Sequence, residues 1–377
     1  MKKMGVLVLG LFLIAAAAGT TVPAEELSNY ELTQRIKKLE ARQGLSGMAP
    51  AWMDRLALSG LLEAEAGYAS LEDENESDVA LATMELGLDA AVNDYVSGHF
   101  LLLWEEDDTE PVDLDEGFIT LTGGPDCPAS VSAGKMYVPF GRFESHMISD
   151  PLTLELAETS ESAVMLGVEE KGFYGSVYLF NGDADEFDED SHVDNYGAQA
   201  GFAVATDAFN LDIGGSYINN ITDSDGWEGL LDDPEDEGNV GGELDDYVGG
   251  VGAHAIMSTG PFMFIAEYIT ALDEADFVNK DGSIRHTVEE LSAWNAELGY
   301  SFALAGKPVT AAVAYQGSND ADEFLDDGDE ILPETRLLGS IAVELYEATS
   351  LALEYYHDEY ENNDEAEGVT AQLAVEF

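Results

Sequence analysis

The sequence predicts an all-β fold, a 16-stranded antiparallel transmembrane β-barrel preceded by a short N-terminal helical (coiled-coil) segment. Three observations support this prediction. An apolar export segment opens the chain, and no later stretch has the ~20 consecutive apolar residues that a membrane-spanning helix needs. Segments with a period-two alternation of apolar and polar residues then recur along the chain, and the connections between them alternate between short and long. Any membrane that the chain crosses must therefore be crossed by strands.

The first residues indicate export from the cytoplasm. Lys2 and Lys3 form a positive region, and the apolar run that follows ends at Ala18. Small residues then stand where a signal peptidase requires them. Residues 1–24 are therefore predicted to be a signal peptide that is cleaved before Glu25.

Residues 25–50 are predicted to form a periplasmic coiled-coil segment and a linker, followed by the outer-membrane β-barrel in residues 51–377. Within this segment, the apolar residues of 25–43 follow coiled-coil spacing. Two heptads are too few to be stable alone. The helix is therefore expected either to pack on another part of the molecule or to self-associate into a homo-oligomer.

From Arg55 onward the hydrophobic period changes from that of a helix to that of a strand. In the first segment Leu58 and Tyr68 share an apolar face. Glu63 and Glu65 lie on the opposite face, because successive side chains of a strand alternate. Sixteen such segments are predicted, and an even number is what a single-chain bacterial barrel requires. They are 55–69, 79–91, 95–105, 114–122, 129–140, 162–170, 172–182, 195–205, 209–221, 246–257, 261–272, 287–303, 308–317, 334–346, 349–358 and 367–377.

The connections between these segments alternate strictly in length. The short ones are predicted to be periplasmic turns, and the long ones extracellular loops. Forty-nine of the 77 acidic residues lie in the eight long connections, so one rim of the barrel is expected to be strongly acidic. The net charge of −63 excludes nucleic acid as a partner, because such a surface repels polyanions. The long connections are 70–78, 105–113, 141–161, 183–194, 222–245, 273–286, 318–333 and 358–366.

The last segment of the sequence predicts two partners. Val369, Leu373 and Val375 share one face of this segment, which ends on the aromatic residue Phe377. A terminal aromatic residue on an amphipathic strand is the usual signal for the barrel assembly machinery. The sequence therefore predicts assembly through Phe377 into outer-membrane lipid.

No motif for catalysis, cofactor binding or metal binding is present. The six histidines are scattered, without the spacing of a metal site, and no Gly-x-Ser-x-Gly or phosphate-binding glycine loop occurs. The acidic loop sequences lack the glycine and the closing glutamate of a calcium loop. The chain is therefore predicted not to be an enzyme and to need no cofactor or metal. The acidic loops are interpreted as solvated rims, bridged to lipid phosphates by divalent cations, or as a salt adaptation.

The connection 141–161 is predicted to fold into the barrel. It is less acidic than its neighbours and contains apolar residues, such as Met147, Ile148 and Leu152, that a solvated loop does not need. Two interpretations stay open: a segment that narrows the pore or contacts a ligand, and a loop packed against the wall for stability. Its candidate pore residues are Arg142, His146, Asp150 and Glu155.

Basic residues are scarce in the predicted barrel, so each one is a candidate pore residue. Lys135 faces the lumen if Met136, Val138 and Phe140 face lipid, and Arg336 is inward by the same alternation. Opposite inward carboxylates, these residues are expected either to set a transverse field across the pore or to form ion pairs that hold the wall together. The inward carboxylates are Glu63, Glu65, Glu85, Asp89, Glu297 and Glu344, and Glu63 and Glu85 among them are candidate pore residues.

The stretch 134–141, Gly-Lys-Met-Tyr-Val-Pro-Phe-Gly, is followed at 147–156 by Met-Ile-Ser-Asp-Pro-Leu-Thr-Leu-Glu-Leu. With the helical residues 34–43 and Phe377, these motifs resemble those of the LbtU-type siderophore porins. The resemblance implies a 16-stranded barrel with a periplasmic coiled coil that takes up a ferric siderophore without a plug domain.

The expected function is a porin-like channel in the bacterial outer membrane that takes up a small solute such as a ferric siderophore. Two alternatives remain open. One is a general cation-preferring pore, and the other is a non-transporting structural or adhesive barrel with acidic extracellular loops. A phosphate-selective pore is disfavoured, because its lumen would need many arginines and lysines.

Overall fold

Sixteen antiparallel strands, β1 to β16, form a closed barrel. The computed structural model describes residues 20–21, 55–71, 74–106, 109, 111–124, 127–184, 186–188, 192–206, 208–227, 243–278, 282–319 and 332–377. The strands are β1 (Leu56–Leu71), β2 (Glu74–Asn93), β3 (Val96–Trp104), β4 (Asp113–Thr122), β5 (Ala129–Tyr137), β6 (Ser160–Glu170), β7 (Phe173–Phe180), β8 (Asn195–Ala205), β9 (Asn210–Ile218), β10 (Gly250–Thr259), β11 (Phe262–Ala271), β12 (Ser292–Leu304), β13 (Lys307–Asn319), β14 (Thr335–Tyr346), β15 (Thr349–Glu359) and β16 (Glu365–Glu376).

Each strand pairs with its neighbours in the sequence, and β1 closes the ring by pairing with β16. Tyr68, for example, lies opposite Val369 across this seam. The prediction of a 16-stranded antiparallel barrel is confirmed. The helix predicted at 25–43 lies outside the described residues. Thr20–Thr21, within the predicted signal peptide, pairs with Phe302 and Ala303 of β12.

The outward face of the strands is apolar and carries aromatic residues near both ends. On β6, for example, Val164 and Leu166 are exposed, whereas Ala163, the neighbour of Val164 on the same strand, is buried. Bands of aromatic residues at the two interfaces are typical of barrels in a lipid bilayer. The exposed aromatic residues near the long connections are Tyr68, Tyr196, Tyr268 and Tyr315, and those near the short turns are Tyr95, Phe173, Phe209, Phe262, Tyr346 and Phe377.

Among the helices that the structure describes, none is long and apolar enough to cross a membrane.

The first long connection, predicted at 70–78, is mostly strand. β1 runs to Leu71 and β2 begins at Glu74, and Tyr68 pairs with Ser77 across the extended hairpin. The loop prediction rested on polar composition. Backbone pairing continues regardless of side-chain charge where the strands project beyond the apolar band.

The long connections also build structure above the barrel. Glu243–Leu244, Ala275–Val278 and Ile284–Val288 form a three-stranded sheet. Trp227, Leu244 and Phe277 are fully buried there in an apolar core. The interpretation of these connections as solvated rims is wrong for this part, because their scattered apolar residues pack together despite the surrounding acidic residues.

At the seam between β1 and β16, the ring of Phe377 covers Gly60. Backbone hydrogen bonds of 3.0 Å run in both directions between Gly60 and Phe377. A Cβ atom at Gly60 would overlap the aromatic ring. A side chain at this position would therefore force the Phe377 ring to move.

We expect Gly60→Val to displace the Phe377 ring and weaken barrel closure. Because the Phe377 ring is half-exposed and can shift, the cost should lie at the low end of that for overpacking, about 1 kcal/mol. Heat-modifiability on gels, with the purified barrel in detergent, should show unfolding at lower temperature than for the wild type. Gly67→Ala is the matched control on the same strand, because its Cβ would meet only Thr370 Oγ1, at 4.0 Å. Equal unfolding temperatures for Gly60→Val and the wild type would contradict this prediction.

Candidate pore site

The segment 141–159, between β5 and β6, crosses the inside of the barrel. Its partners are side chains on the inward face of distant strands. Glu297 of β12 shows this face clearly, because it is buried while Ala296 and Leu298 on either side of it are exposed. We call residues 141–159 the crossing segment.

Glu297 holds the middle of the crossing segment against the wall. Its carboxylate accepts hydrogen bonds from His146 N at 2.8 Å and from Ser145 Oγ at 2.9 Å, and His146 Nδ1 lies 2.5 Å from it. Ser340 Oγ donates to the carbonyl of His146 at 2.9 Å. The His146 ring lies over Gly299, where a Cβ atom would approach it to 3.0 Å. His146 is therefore an anchor on β12.

Two further carboxylates anchor the segment on either side of this point. Glu267 of β11 accepts from Arg142 N at 2.6 Å, from Phe143 N at 3.0 Å and from Thr153 Oγ1 at 3.0 Å. Glu354 of β15 accepts from Ser149 and from the backbone of Ile148. Buried carboxylates are stable only when hydrogen-bonded or paired, and here backbone N–H groups supply many of the donors. We call Glu267, Glu297 and Glu354 the anchoring glutamates.

The crossing segment contains one helix, α1 (Leu152–Ala157), which covers part of the inner wall. Leu152 N donates to Gln316 of β13, at 3.2 Å. Ser224 Oγ donates to the carbonyl of Leu156 at 2.7 Å, which satisfies one orphan group of the helix end. Six residues are too few for a stable helix alone, so these contacts maintain α1.

The apolar residues at the end of β5 do not face lipid. Met136, Val138 and Phe140 are buried at 3, 4 and 1% exposure, in one core with Leu152 and Leu156 of α1. The premise that placed Lys135 in the lumen is therefore wrong. Alternation identified two faces but not which face was inward, because α1 provides an apolar surface inside the barrel.

Arg336 of β14 is ion-paired rather than free in the lumen. Its Nε lies 3.0 and 3.2 Å from the two carboxylate oxygens of Asp358 on β15, and its Nη1 lies 3.0 Å from Glu155 of α1. Burial raises the pKa of Glu155, although the Arg336 charge opposes that shift. Arg336 therefore joins the wall to α1.

Arg142 is half-exposed at the start of the crossing segment. Its Nη2 lies 3.5 Å from Asp212 of β9 and 3.7 Å from Glu144. Tyr174 donates to the same Asp212 carboxylate at 2.8 Å. The basic residues were expected either to set a transverse field across the pore or to form ion pairs that hold the wall together. These contacts agree with the second interpretation.

Carboxylates of β1 to β4 face the exposed side of the crossing segment. Glu63 lies near enough to Glu65, Asp150 and Glu105 for the like charges of these carboxylates to repel its own. Glu85 of β2 joins the same group through Glu63 and Glu105. On this wall His99 Nδ1 lies 2.8 Å from Asp89 Oδ1. We call the group Glu63, Glu65, Glu85, Glu105, Asp115, Asp150 and Glu158 the acidic face.

The electrostatics of the loop residues follow from this arrangement. Desolvation, together with repulsion from Glu65, raises the pKa of Asp150. Desolvation and the charges of Asp225, Asp150 and other carboxylates raise the pKa of Glu158 to about 7. Burial is the main cause that raises the pKa of Asp223 to about 7. The charges of Glu158 on the acidic face and of the nearby Asp223 therefore change near neutral pH.

A cavity of about 530 Å³ opens beside the acidic face, at the end of the barrel that carries the long connections. Lys135 and Tyr137 line it from β5, and Tyr137 donates to Asp115 at 2.6 Å. The cavity is mostly polar. Its acidic lining residues are Glu105, Asp113, Asp115, Glu158, Glu161, Asp183, Asp223 and Asp225.

Among the described residues, no group of three His, Cys, Asp or Glu side chains is arranged to hold a metal ion.

The structure divides the predicted site residues into two groups. Glu63, Glu85 and Asp150 belong to the acidic face, and Lys135 lines the adjacent cavity. The others form anchors or ion pairs: His146, Glu155, Arg336 and Arg142.

Sequence reasoning did not identify the anchoring role of Glu267, Glu297 and Glu354. The available signal was a single glutamate at an inward position between bulky apolar or aromatic residues, as in Ile265-Ala266-Glu267-Tyr268 and Ala352-Leu353-Glu354-Tyr355. Such a residue needs a hydrogen-bonding partner inside the barrel.

No family model matches the chain. Among curated proteins, a UPF0422 protein of Coxiella burnetii (strain RSA 493 / Nine Mile phase I) is 29% identical over 316 residues, which are 81% of this chain and 64% of that protein. A UPF0422 protein of Legionella pneumophila (strain Lens) is 25% identical over 87% of this chain and 63% of its own length. The chain thus spans slightly less than two thirds of the length of these relatives.

The barrel is also similar to solved outer-membrane structures. The outer membrane channel DcaP of Acinetobacter baumannii has a TM-score of 0.59 and 14% identity, covering 85% of this chain and 97% of that one. OprB of Pseudomonas putida has a TM-score of 0.59 and 10% identity over 86% and 95% of the two chains. Salmonella typhi OmpF has a TM-score of 0.57 and 11% identity over 85% and 97%. This fold agrees with the predicted outer-membrane location. The chain is similar to UPF0422 proteins and has the fold of outer-membrane porins.

Proposed function

We propose that this chain is a porin-like channel of the bacterial outer membrane that prefers cations. The observation that carries the proposal is the acidic face, in which Glu63, Glu65 and Asp150 lie in electrostatic contact along the inside of the barrel. The arginines that would balance it are already paired with carboxylates of their own. A lumen with a net negative lining attracts cations and repels anions.

The proposal is tested by measuring ion selectivity in planar lipid bilayers. With the purified protein and a KCl gradient, we expect a reversal potential of the sign that cation permeation produces. Glu65→Gln with Asp150→Asn should lower the potassium-to-chloride permeability ratio by roughly twofold to fivefold. Glu170→Gln, at an exposed turn outside the lumen, is the matched control. Anion selectivity would overturn the proposal, and so would the absence of conductance, which would favour a structural or adhesive barrel.

The same membranes test the origin of the selectivity by pH. A carboxyl with a raised pKa is ionised only above that pKa, and the pKa of Glu158 and of Asp223 is about 7. Cation selectivity should therefore increase as the pH rises from about 6 to about 8. A selectivity that is constant over this range would contradict a role for these carboxyls.

Uptake of a ferric siderophore remains a prediction from the family resemblance. Many ferric siderophore complexes are anionic, and the acidic face would repel them. Growth on ferric siderophores, with and without the gene, distinguishes the two proposals. Growth that depends on the gene and on an anionic complex would favour siderophore uptake over a general cation-preferring pore.

A further inference from the structure

Glu65 on the acidic face is held by a neutral side chain from the other side of the barrel seam. Glu65 of β1 and Gln372 of β16 are cross-strand neighbours. The amide nitrogen Nε2 of Gln372 donates a hydrogen bond of 2.9 Å to Glu65 Oε1. Ala64 and Ala66, on either side of Glu65, are exposed on the outer face. The two bonded side chains therefore lie on the inward face, because successive side chains of a strand alternate.

The partner of Glu65 differs in charge from the partners of other inward carboxylates. Asp358, for example, is paired with the guanidinium of Arg336, which cancels its charge. In the described part of the chain, no lysine, arginine or histidine nitrogen lies within 4.0 Å of the Glu65 carboxylate. An amide donates a hydrogen bond without carrying a charge. Gln372 therefore fixes the carboxylate of Glu65 and leaves its negative charge uncancelled.

Glu65 faces the part of the lumen that the crossing segment leaves open. Asp150 of the crossing segment is exposed, and Glu65 lies near enough for its charge to repel that of Asp150. Glu63, two residues away on β1, adds a third charge to the same group. Like charges on freely rotating side chains move apart. A carboxylate in this group therefore needs a fixed partner to stay beside the passage.

We propose that Gln372 is a positioning residue of the cation pathway, which holds the Glu65 carboxylate beside the passage between β1 and Asp150. This inference rests on the proposed function as a cation-preferring channel. A carboxylate that is held in place attracts a passing cation more strongly than one that rotates away from it. A hydrogen bond donated to a carboxylate also favours its ionised form.

The test compares three side chains at residue 372 in planar bilayers that contain the full-length protein under a KCl gradient. Gln372→Leu removes the donor, and the potassium-to-chloride permeability ratio should fall by roughly twofold. Gln372→Lys supplies an ammonium that pairs with Glu65, and the ratio should fall further, by roughly fivefold. Gln199→Leu on β8 is the matched control, because the cross-strand neighbours of Gln199 are Ser176 and Ser216 rather than a carboxylate. It should keep the wild-type ratio.

A pH profile separates positioning from a general loss of barrel structure. Without its donor, the Glu65 carboxylate binds a proton more readily. The deficit of Gln372→Leu relative to the wild type should therefore be larger at about pH 5 than at about pH 8. Heat-modifiability on gels checks that each variant is folded. Gln372→Asn, whose shorter side chain does not reach Glu65, carries the same expectation as Gln372→Leu, should the leucine variant not fold.

The outcomes distinguish this inference from the proposed function. If the wild-type channel is cation-selective but Gln372→Leu and Gln372→Asn keep its permeability ratio at both pH values, the role of Gln372 is overturned and the proposed function stands. A deficit that is equal at both pH values, or that Gln199→Leu shares, is a structural effect and also overturns the inference. A wild-type channel that is anion-selective or does not conduct overturns both.

Discussion

Glu297→Ala is expected to detach the middle of the crossing segment and to enlarge the pore. The substitution leaves the backbone N–H and the ring of His146, and the hydroxyl of Ser145, without their acceptor. Hydrogen bonds to a charged group contribute about 1.5–3 kcal/mol each, so the loss of local stability is about 3 kcal/mol or more. Single-channel conductance should rise by roughly twofold, because the crossing segment occupies part of the lumen.

The matched control for this variant is Glu347→Ala, an exposed carboxylate at the turn between β14 and β15. Glu297→Gln tests the charge separately, because the amide keeps one acceptor oxygen. It should give an intermediate conductance. If Glu297→Ala has wild-type conductance and wild-type current noise, Glu267 and Glu354 suffice to hold the segment, and the predicted role of Glu297 is wrong.

Arg336→Met is expected to be the most destabilising substitution of a basic residue in the barrel. It leaves Asp358, which is 1% exposed, and Glu155 of α1 without their counter-ion. Removing one partner of a buried ion pair costs about 3–5 kcal/mol, because an uncompensated charge remains buried. Urea unfolding in detergent micelles should show this loss, and α1 should lose its attachment to β14.

Two comparisons make the Arg336 prediction specific. Arg336→Lys should restore little stability, because an ammonium cannot reproduce the fork of contacts that the guanidinium makes with Asp358. Arg142→Met should cost less than about 1 kcal/mol, because its ion pairs are longer and half-exposed. If the double variant Arg336→Met with Asp358→Asn is no more stable than Arg336→Met alone, the unpaired Asp358 is not the cause.

The barrel was predictable from the sequence because the signals for strands are local. Alternation along Leu56–Leu71, for example, places Leu58 and Tyr68 on one face and Glu63 and Glu65 on the other without reference to any other strand. Turn residues then divide one strand from the next. All sixteen predicted segments correspond to strands. The boundary errors run in both directions: β2 begins at Glu74, before the predicted 79, whereas β10 begins at Gly250 and β12 at Ser292, after the predicted 246 and 287.

The candidate site was only partly predictable. The composition of 141–161 indicated an inward segment, because Ile148, Leu152 and Leu156 have no place in a solvated loop. Its anchors were not identified, because Glu354 and Ile148 are 206 residues apart in the sequence. No spacing rule connects groups at that separation. Their meeting depends on barrel closure, which places β15 within reach of a segment that leaves β5.

The sequence by itself thus determined that one face of each strand is apolar and the other polar, since both follow from the two-residue period of an extended chain. Only the tertiary structure decided what each inward polar group does. The carboxylate of Glu297 anchors a backbone and that of Glu155 pairs with Arg336, whereas that of Glu63 belongs to the acidic face. The same side-chain type takes three roles, because the role of a carboxylate depends on which donors and charges the closed barrel brings to it.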